Sequence, residues 1–218
     1  VKIVSQSATL IAASVLAQTP PEELMRSASE GALAIEAAAR TCYKSEGLIS
    51  PGSAAKLITK LAGMHHDAML EFGDATFRIV CDRGVSHEIV RHRIASYAQE
   101  STRYCNYASE KRGGEIAVIM PPGLDEWQRR EWEDAMLRAE AAYLNLVDHG
   151  AAPQIARSVL PTCLKTEICV KMNFREWLHF LKLRTAPAAH PQMREVAGMV
   201  RRELIDLCPE VFDREVNA

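Results

Sequence analysis

Aromatic residues are scarce: Trp, Tyr and Phe make up 6% of the 218 residues. They do not alternate along a strand as a base-stacking platform would, which removes the main support for an RNA-binding module. None of the six cysteines (Cys42, Cys81, Cys105, Cys163, Cys169 and Cys208) forms a Cys-x-x-Cys pair. A structural zinc site therefore has little support. No apolar run is long enough to span a bilayer, so no membrane partner is expected. A charge excess is missing too: the net charge is −2 and the pI about 6.4. A general nucleic-acid binder normally carries a strong basic excess, so no nucleic-acid partner is expected. Repeats and low-complexity linkers are absent, and residues 1–218 read as a single domain.

Apolar residues account for 48% of the chain, enough for a sizeable core. Leu10 to Ala17 are apolar, but only Lys2 precedes them and Ser5, Gln6 and Ser7 interrupt. They read as part of a first strand and its turn, not as a secretion signal. The cysteines are accordingly expected as reduced thiols in the cytoplasm. His65 and His66 are adjacent, and neighbouring residues on a helix point about 100° apart. No metal site is expected there or elsewhere.

Hydrophobic periodicity and turn chemistry give the elements. Residues 1–13 read as a strand, and Pro20-Pro21 opens a helix to about Tyr43 with Glu22 and Glu23 in its first turn. A second helix is expected over 54–64, and a β-rich run over 75–81 ends at the turn Asp82-Arg83-Gly84. Ser86 is placed to cap a short helix to His92. Ser96 to Thr102 has no apolar stripe and reads as a loop. A strand is expected over 115–120, and Asp125 caps a long helix to His149 closed by Gly150. A strand over 163–172 and helices over 173–184 and 191–207 complete the chain. Segregated strands and long helices make this α+β.

The most informative stretch is Arg91-His92-Arg93 followed, after seven residues, by Ser101, Thr102, Arg103 and Tyr104. Guanidinium groups present paired N–H donors to phosphate or carboxylate oxygens, and hydroxyls close around them. Two arginine clusters flanking one loop suggest an anion cradle; the alternative is a solvated basic turn. The interleaved Glu88, Ile89, Val90 and Ile94 favour a packed helix end over a basic tail. Farther on, Arg175 and His179 stand four apart, on one face if the segment is helical. They either line a ligand or simply face water, with Trp177, Phe180 and Leu181 on the other side.

The pattern Arg91, His92, Arg93, Ser96, Ser101, Arg103 and Tyr104 resembles the signature of the flavin-dependent thymidylate synthases. Upstream, His66 and Glu71 resemble that family's His-x4-Glu pair. Downstream, Ala156 to Pro161, Asn173-Phe174-Arg175, His179 to Arg184 and Ala189-His190 resemble its later blocks. The resemblance implies a central mixed or antiparallel sheet wrapped by long helices. It implies a homotetramer with active sites at subunit interfaces. The implied reaction makes dTMP from dUMP, with methylenetetrahydrofolate as one-carbon donor, NADPH as reductant and FAD as cofactor, without an enzyme nucleophile. The matching FAD positions are His66, Glu71, Arg91, His92, Arg93, Gln99, Asn173, Arg175 and His179. The matching dUMP positions are Glu88, Arg91, Gln99, Glu100, Ser101, Thr102, Arg103, Arg157 and Arg184. Arg184 is also the expected catalytic residue, at the uracil edge where it favours ionisation at N3.

Ala68, Glu88, Ala98 and Gln99 depart from the family pattern, which puts the individual contacts at those positions in doubt. A thymidylate synthase of the cysteine-nucleophile type is the rival reading, with Cys163 in Pro161-Thr162-Cys163 as the nearest thiol. No histidine follows it closely enough in the sequence to suggest activation.

Overall fold

A computed structural model describes residues 1–109 and 113–213. Its strands are β1 (Lys2–Ile3), β2 (Ser7–Ala13), β3 (Asp74–Asp82), β4 (Ser96–Gln99), β5 (Ala117–Val118) and β6 (Lys165–Asn173). The helices are α1 (Glu22–Met25), α2 (Glu30–Thr41), α3 (Ser53–Gly63), α4 (Arg83–Ile89), α5 (Glu126–Asp148), α6 (Pro153–Ala156), α7 (Phe174–Arg184), α8 (Pro191–Leu207) and α9 (Pro209–Phe212). Four strands form one antiparallel sheet in the order β2-β3-β6-β4, and β1 pairs with β5 in a second. The class is α+β, as expected.

The described residues cluster into two compact units. The first comprises residues 1–7, 79–91 and 97–169; the second comprises 8–78, 92–96 and everything from 170 on. The chain runs from one unit into the other within β2, β3, β4 and β6. The expected 1–218 span also includes 110–112 and 214–218, which lie outside the described residues.

In the first unit, β1 and β5 pair in parallel, Lys2 with Ala117 and Ile3 with Val118. Val118 of β5, with the nearby Ile116 and Leu164, packs with Met136 and Tyr143 of α5. Asp125 begins α5 with a reciprocal capping box: its carboxylate accepts from the Gln128 amide, and the Gln128 side chain accepts from the Asp125 amide. Gly150, at φ 87°, ends it in the left-handed conformation that glycine adopts without a Cβ clash.

The second unit buries the apolar faces of α2, α3, α7 and α8, among them Ile35, Ile58, Trp177, Phe180 and Val200. Two contacts set α7 against the start of β3. The Trp177 indole N–H donates to the Ala75 carbonyl at 3.0 Å, and the Phe174 amide donates to the Gly73 carbonyl at 2.9 Å. Gly73 is required here by close approach: a Cβ on it would lie 2.4 Å from the Phe174 ring.

Four expectations about elements are corrected. Residues 1–13 form two strands in different sheets, broken at 4–6. The helix expected from Pro20-Pro21 to Tyr43 is two helices. The first ends at Met25, and Ser29 caps the second, accepting from the Ala32 amide while its own amide and hydroxyl bond Glu210. The short helix near residue 86 starts earlier and ends before Arg91: Asp82 caps it at 2.6 Å through Val85, and Ser86 donates to the Arg83 carbonyl instead. Finally, Ser96–Gln99 is strand β4, not loop.

Candidate active site

Asn173 ends β6 and caps α7, its side-chain oxygen accepting from the Glu176 amide at 2.9 Å. The helix is amphipathic, so Phe174, Trp177, Phe180 and Leu181 are buried while Arg175 and His179 stay exposed. That exposed side borders a cavity of about 620 Å³ in the second unit. Glu71, Asn173, Arg175 and His179 line it, as do the cation Lys182 and the apolar Leu70, Ile94 and Leu178. The volume lies in the usual range for cofactor sites. Arg175 donates to Glu71 at 2.6 Å across the mouth, and both side chains are about half exposed. His66 and Arg93 are exposed and do not line this cavity.

His92 sits behind α7 and is 4% exposed. Its Nδ1 lies 3.0 Å from Glu176 Oε1, and its Nε2 accepts from Arg184 Nε at 3.1 Å. Burial lowers the His92 pKa most; the Glu176 hydrogen bond opposes this, and the Arg184 charge adds to the lowering. His92, Glu176 and His179 bring ligand-type atoms within 4.8 Å of one another. The Arg184 cation already occupies the open nitrogen of His92, so this cluster suits a hydrogen-bond chain rather than a divalent ion.

The first unit holds a cavity of about 520 Å³ lined by Arg83, His87, Thr102, Arg157, Ser158 and Thr162, among others. Arg157 donates to the Thr102 hydroxyl at 2.9 Å. One terminal nitrogen of Arg83 is buried and has no hydrogen-bond partner among the described residues. Two guanidinium groups, an imidazole and hydroxyls on one cavity are the donor types that suit an anion. Other residues of the motif do not line it. Ser101 accepts from the Arg103 amide at 3.3 Å, and the exposed Arg103 lies over the Tyr104 ring. Gln99 donates to the Ser86 and Thr166 hydroxyls. Glu100 pairs with Lys165 at 3.2 Å and accepts from Tyr107. Arg91 is exposed and Glu88 is half-buried.

The Cys163 thiol is pushed up to about 11, first by burial and then by the Asp82 charge, and its sulfur lies 3.1 Å from Met136 Sδ. A thiol held so far from thiolate is a poor nucleophile.

The family model described as thymidylate synthase complementing protein matches residues 23–210. The flavin-dependent thymidylate synthase of Geobacter sulfurreducens is 36% identical over 188 residues, covering 82% of this chain and 79% of that protein. The chain belongs to the flavin-dependent thymidylate synthase family. The enzyme of the same name from Mycolicibacterium gilvum is 31% identical over 96% of this chain and 90% of its own length. A UMP/dUMP methylase, PolB of Streptomyces cacaoi, solved with 5-Br dUMP bound, shares the fold. Its TM-score is 0.79 at 24% identity, over 98% of this chain and 96% of that one. Membership makes the chain an enzyme that depends on a flavin, and the expected class holds.

Sequence reasoning missed Arg83, His87, Glu176 and Lys182. Arg83 sits in what reads as a plain turn before Gly84. Glu176 is hidden because an acidic residue in the first turn of a helix is ordinary. Lys182 lies four residues from Leu178 on the cavity side of α7, a periodicity that was available.

Proposed function

We propose that this enzyme converts dUMP to dTMP, taking the one-carbon unit from methylenetetrahydrofolate and electrons from NADPH. One observation carries the reading. Glu71, on one segment, and Asn173, Arg175 and His179, about a hundred residues later, line one cavity, and all four match flavin positions. The donor set fits the cofactor: Arg175 and Lys182 suit a diphosphate, and Leu70, Ile94 and Leu178 suit a flat apolar ring. When bound, FAD supplies hydride transfer; the protein binds, orients and polarises.

In this reading the dUMP phosphate is taken by Ser101, Thr102, Arg103 and Arg157, with Arg83 added from the same cavity as Thr102 and Arg157. Arg91, Glu88, Gln99 and Glu100 stand near the nucleotide, and His66, Arg91, His92, Arg93 and Gln99 toward the flavin. Arg184 faces the uracil edge and stabilises negative charge at N3. Residues 1–218 act as one catalytic domain, because four strands are continuous through both units. A homotetramer completes each site between subunits, so Arg91 and the 101–103 segment serve different copies. No helix among the described residues is long and apolar enough to cross a membrane. The location proposed with this reading is the cytoplasm.

The test has two steps. The purified protein should show flavin absorbance that bleaches anaerobically with NADPH. It should then form dTMP only when dUMP and methylenetetrahydrofolate are both present. A colourless protein that makes dTMP through a covalent uracil adduct on Cys163 would overturn the reading.

A further inference from the structure

Arginine has no hydrogen-bond acceptor. Arg184 Nε therefore donates to His92 Nε2, at 3.1 Å, and that nitrogen must be bare. The remaining proton of the neutral ring then sits on Nδ1, 3.0 Å from Glu176 Oε1, where a carboxylate can accept it. The two contacts are consistent with only one tautomer of a neutral ring. All three groups are shielded: His92 is 4% exposed, Glu176 7%, and Arg184 is half-buried. Arg184 lies roughly two turns beyond Glu176 on α7, and helical side chains lean toward the N-terminus, which returns its guanidinium toward the ring.

We infer that Glu176 and His92 are positioning residues for Arg184: the carboxylate fixes the imidazole tautomer, and the imidazole fixes the guanidinium. The inference rests on the proposed reading of Arg184 as the uracil-facing catalytic residue. Nε is bound to His92, and the outer edge of the guanidinium is directed by that contact. Without the carboxylate, the ring is able to turn its proton to Nε2, where it would repel the Arg184 N–H instead of accepting it. A wrong tautomer is costly in such chains even when the geometry looks intact.

The chain is also sensitive to acid. Among the described residues, Glu176, Arg184 and His179 of α7 act electrostatically on His92, and the Phe180 ring packs beside it. Burial, Arg184 and His179 hold the ring neutral, while Glu176 favours its charged form. When pH falls far enough, a proton adds to Nε2. The acceptor for Arg184 is then lost, and two cations face each other.

The test uses the flavin-loaded enzyme. Imidazole ¹⁵N spectra at neutral pH should show His92 protonated on Nδ1 and bare on Nε2. A ring protonated on Nε2, or on both nitrogens, overturns the inference without any variant. Glu176→Gln should lower kcat for dTMP by about tenfold or more, short of the ~10²–10³ for losing a preorganised donor outright. KM for dUMP should change less than kcat. The acid limb of kcat should also move to lower pH, because the carboxylate that favours protonation is gone. Parental kcat and an unmoved limb in a Glu176→Gln enzyme with full flavin content overturn the inference. Absence of dTMP from the parent enzyme instead overturns the functional reading, and the ¹⁵N spectra still report on the tautomer.

Discussion

Arg83→Met should make the ligand-free protein no less stable while weakening nucleotide binding. The two effects have opposite sign because of one atom. A terminal nitrogen of Arg83 is buried without a partner among the described residues, on the cavity that also holds Arg157 and Thr102. A buried, unsatisfied polar group costs roughly 1–3 kcal/mol. Methionine has similar reach and no donor, so it relieves that cost in the free protein. The backbone role survives substitution, since the Arg83 amide donates to the carbonyls of Thr162 and Leu164 at 3.1 Å whatever the side chain. With phosphate bound, the same nitrogen gains a charge-assisted bond. Losing it costs about 1.5–3 kcal/mol, or about 10- to 150-fold in affinity. Thermal unfolding without ligand gives the first quantity, and titration of the flavin-loaded protein with dUMP gives the second. Deoxyuridine, which lacks the phosphate, should bind both proteins alike. A fall in ligand-free Tm with dUMP affinity unchanged would show that Arg83 is a structural residue, and the reasoning would fail.

Arg175→Ala should release FAD on gel filtration while leaving the apoprotein Tm nearly unchanged. The exposed Arg175–Glu71 pair is itself worth only about 0–1 kcal/mol, and retention of the flavin at parental affinity would count against the cavity. Gly73→Ala should destabilise by about 1–3 kcal/mol, read by denaturant unfolding, because the new Cβ would meet the Phe174 ring at 2.4 Å. Cys163→Ala should keep dTMP formation, since burial holds the thiol up at about 11; loss of turnover in a folded, yellow variant would revive the covalent mechanism.

How much of this was legible in the sequence depended on whether the deciding interaction was local. Asp125 and Gln128 sit three apart and cap α5 as their spacing predicts. Arg175 and His179 sit four apart and share the cavity side of α7. Asn173 was legible as a helix start for the same reason. The errors come from partners far along the chain. Ser29 breaks what reads as one helix because Glu210, 181 residues away, takes its amide and hydroxyl. Ser96–Gln99 has no apolar stripe of its own, but the adjoining Glu100 amide donates to the Glu167 carbonyl, and β6 gives the segment a strand to pair with.

The site divides in the same way. The motif around Arg91 to Arg103 suggests an anion cradle by residue type and spacing, and its match to the family signature is what implies a nucleotide. It does not reveal that Thr102 meets Arg157 across 55 positions while Arg103 lies on Tyr104. His92 illustrates the limit. In the sequence it is one of three donors in a row, equally suited to a ligand. In the fold it is enclosed, with a carboxylate 84 positions later on one nitrogen and an arginine 92 positions later on the other. Its neighbours Arg91 and Arg93 remain exposed. Three consecutive cationic or polar residues therefore do different work because the turn after α4 sends only the middle one inward. The chemistry of that middle residue is set by α7, and a substitution on α7 at Glu176 is the more informative way to probe it than a substitution within the motif.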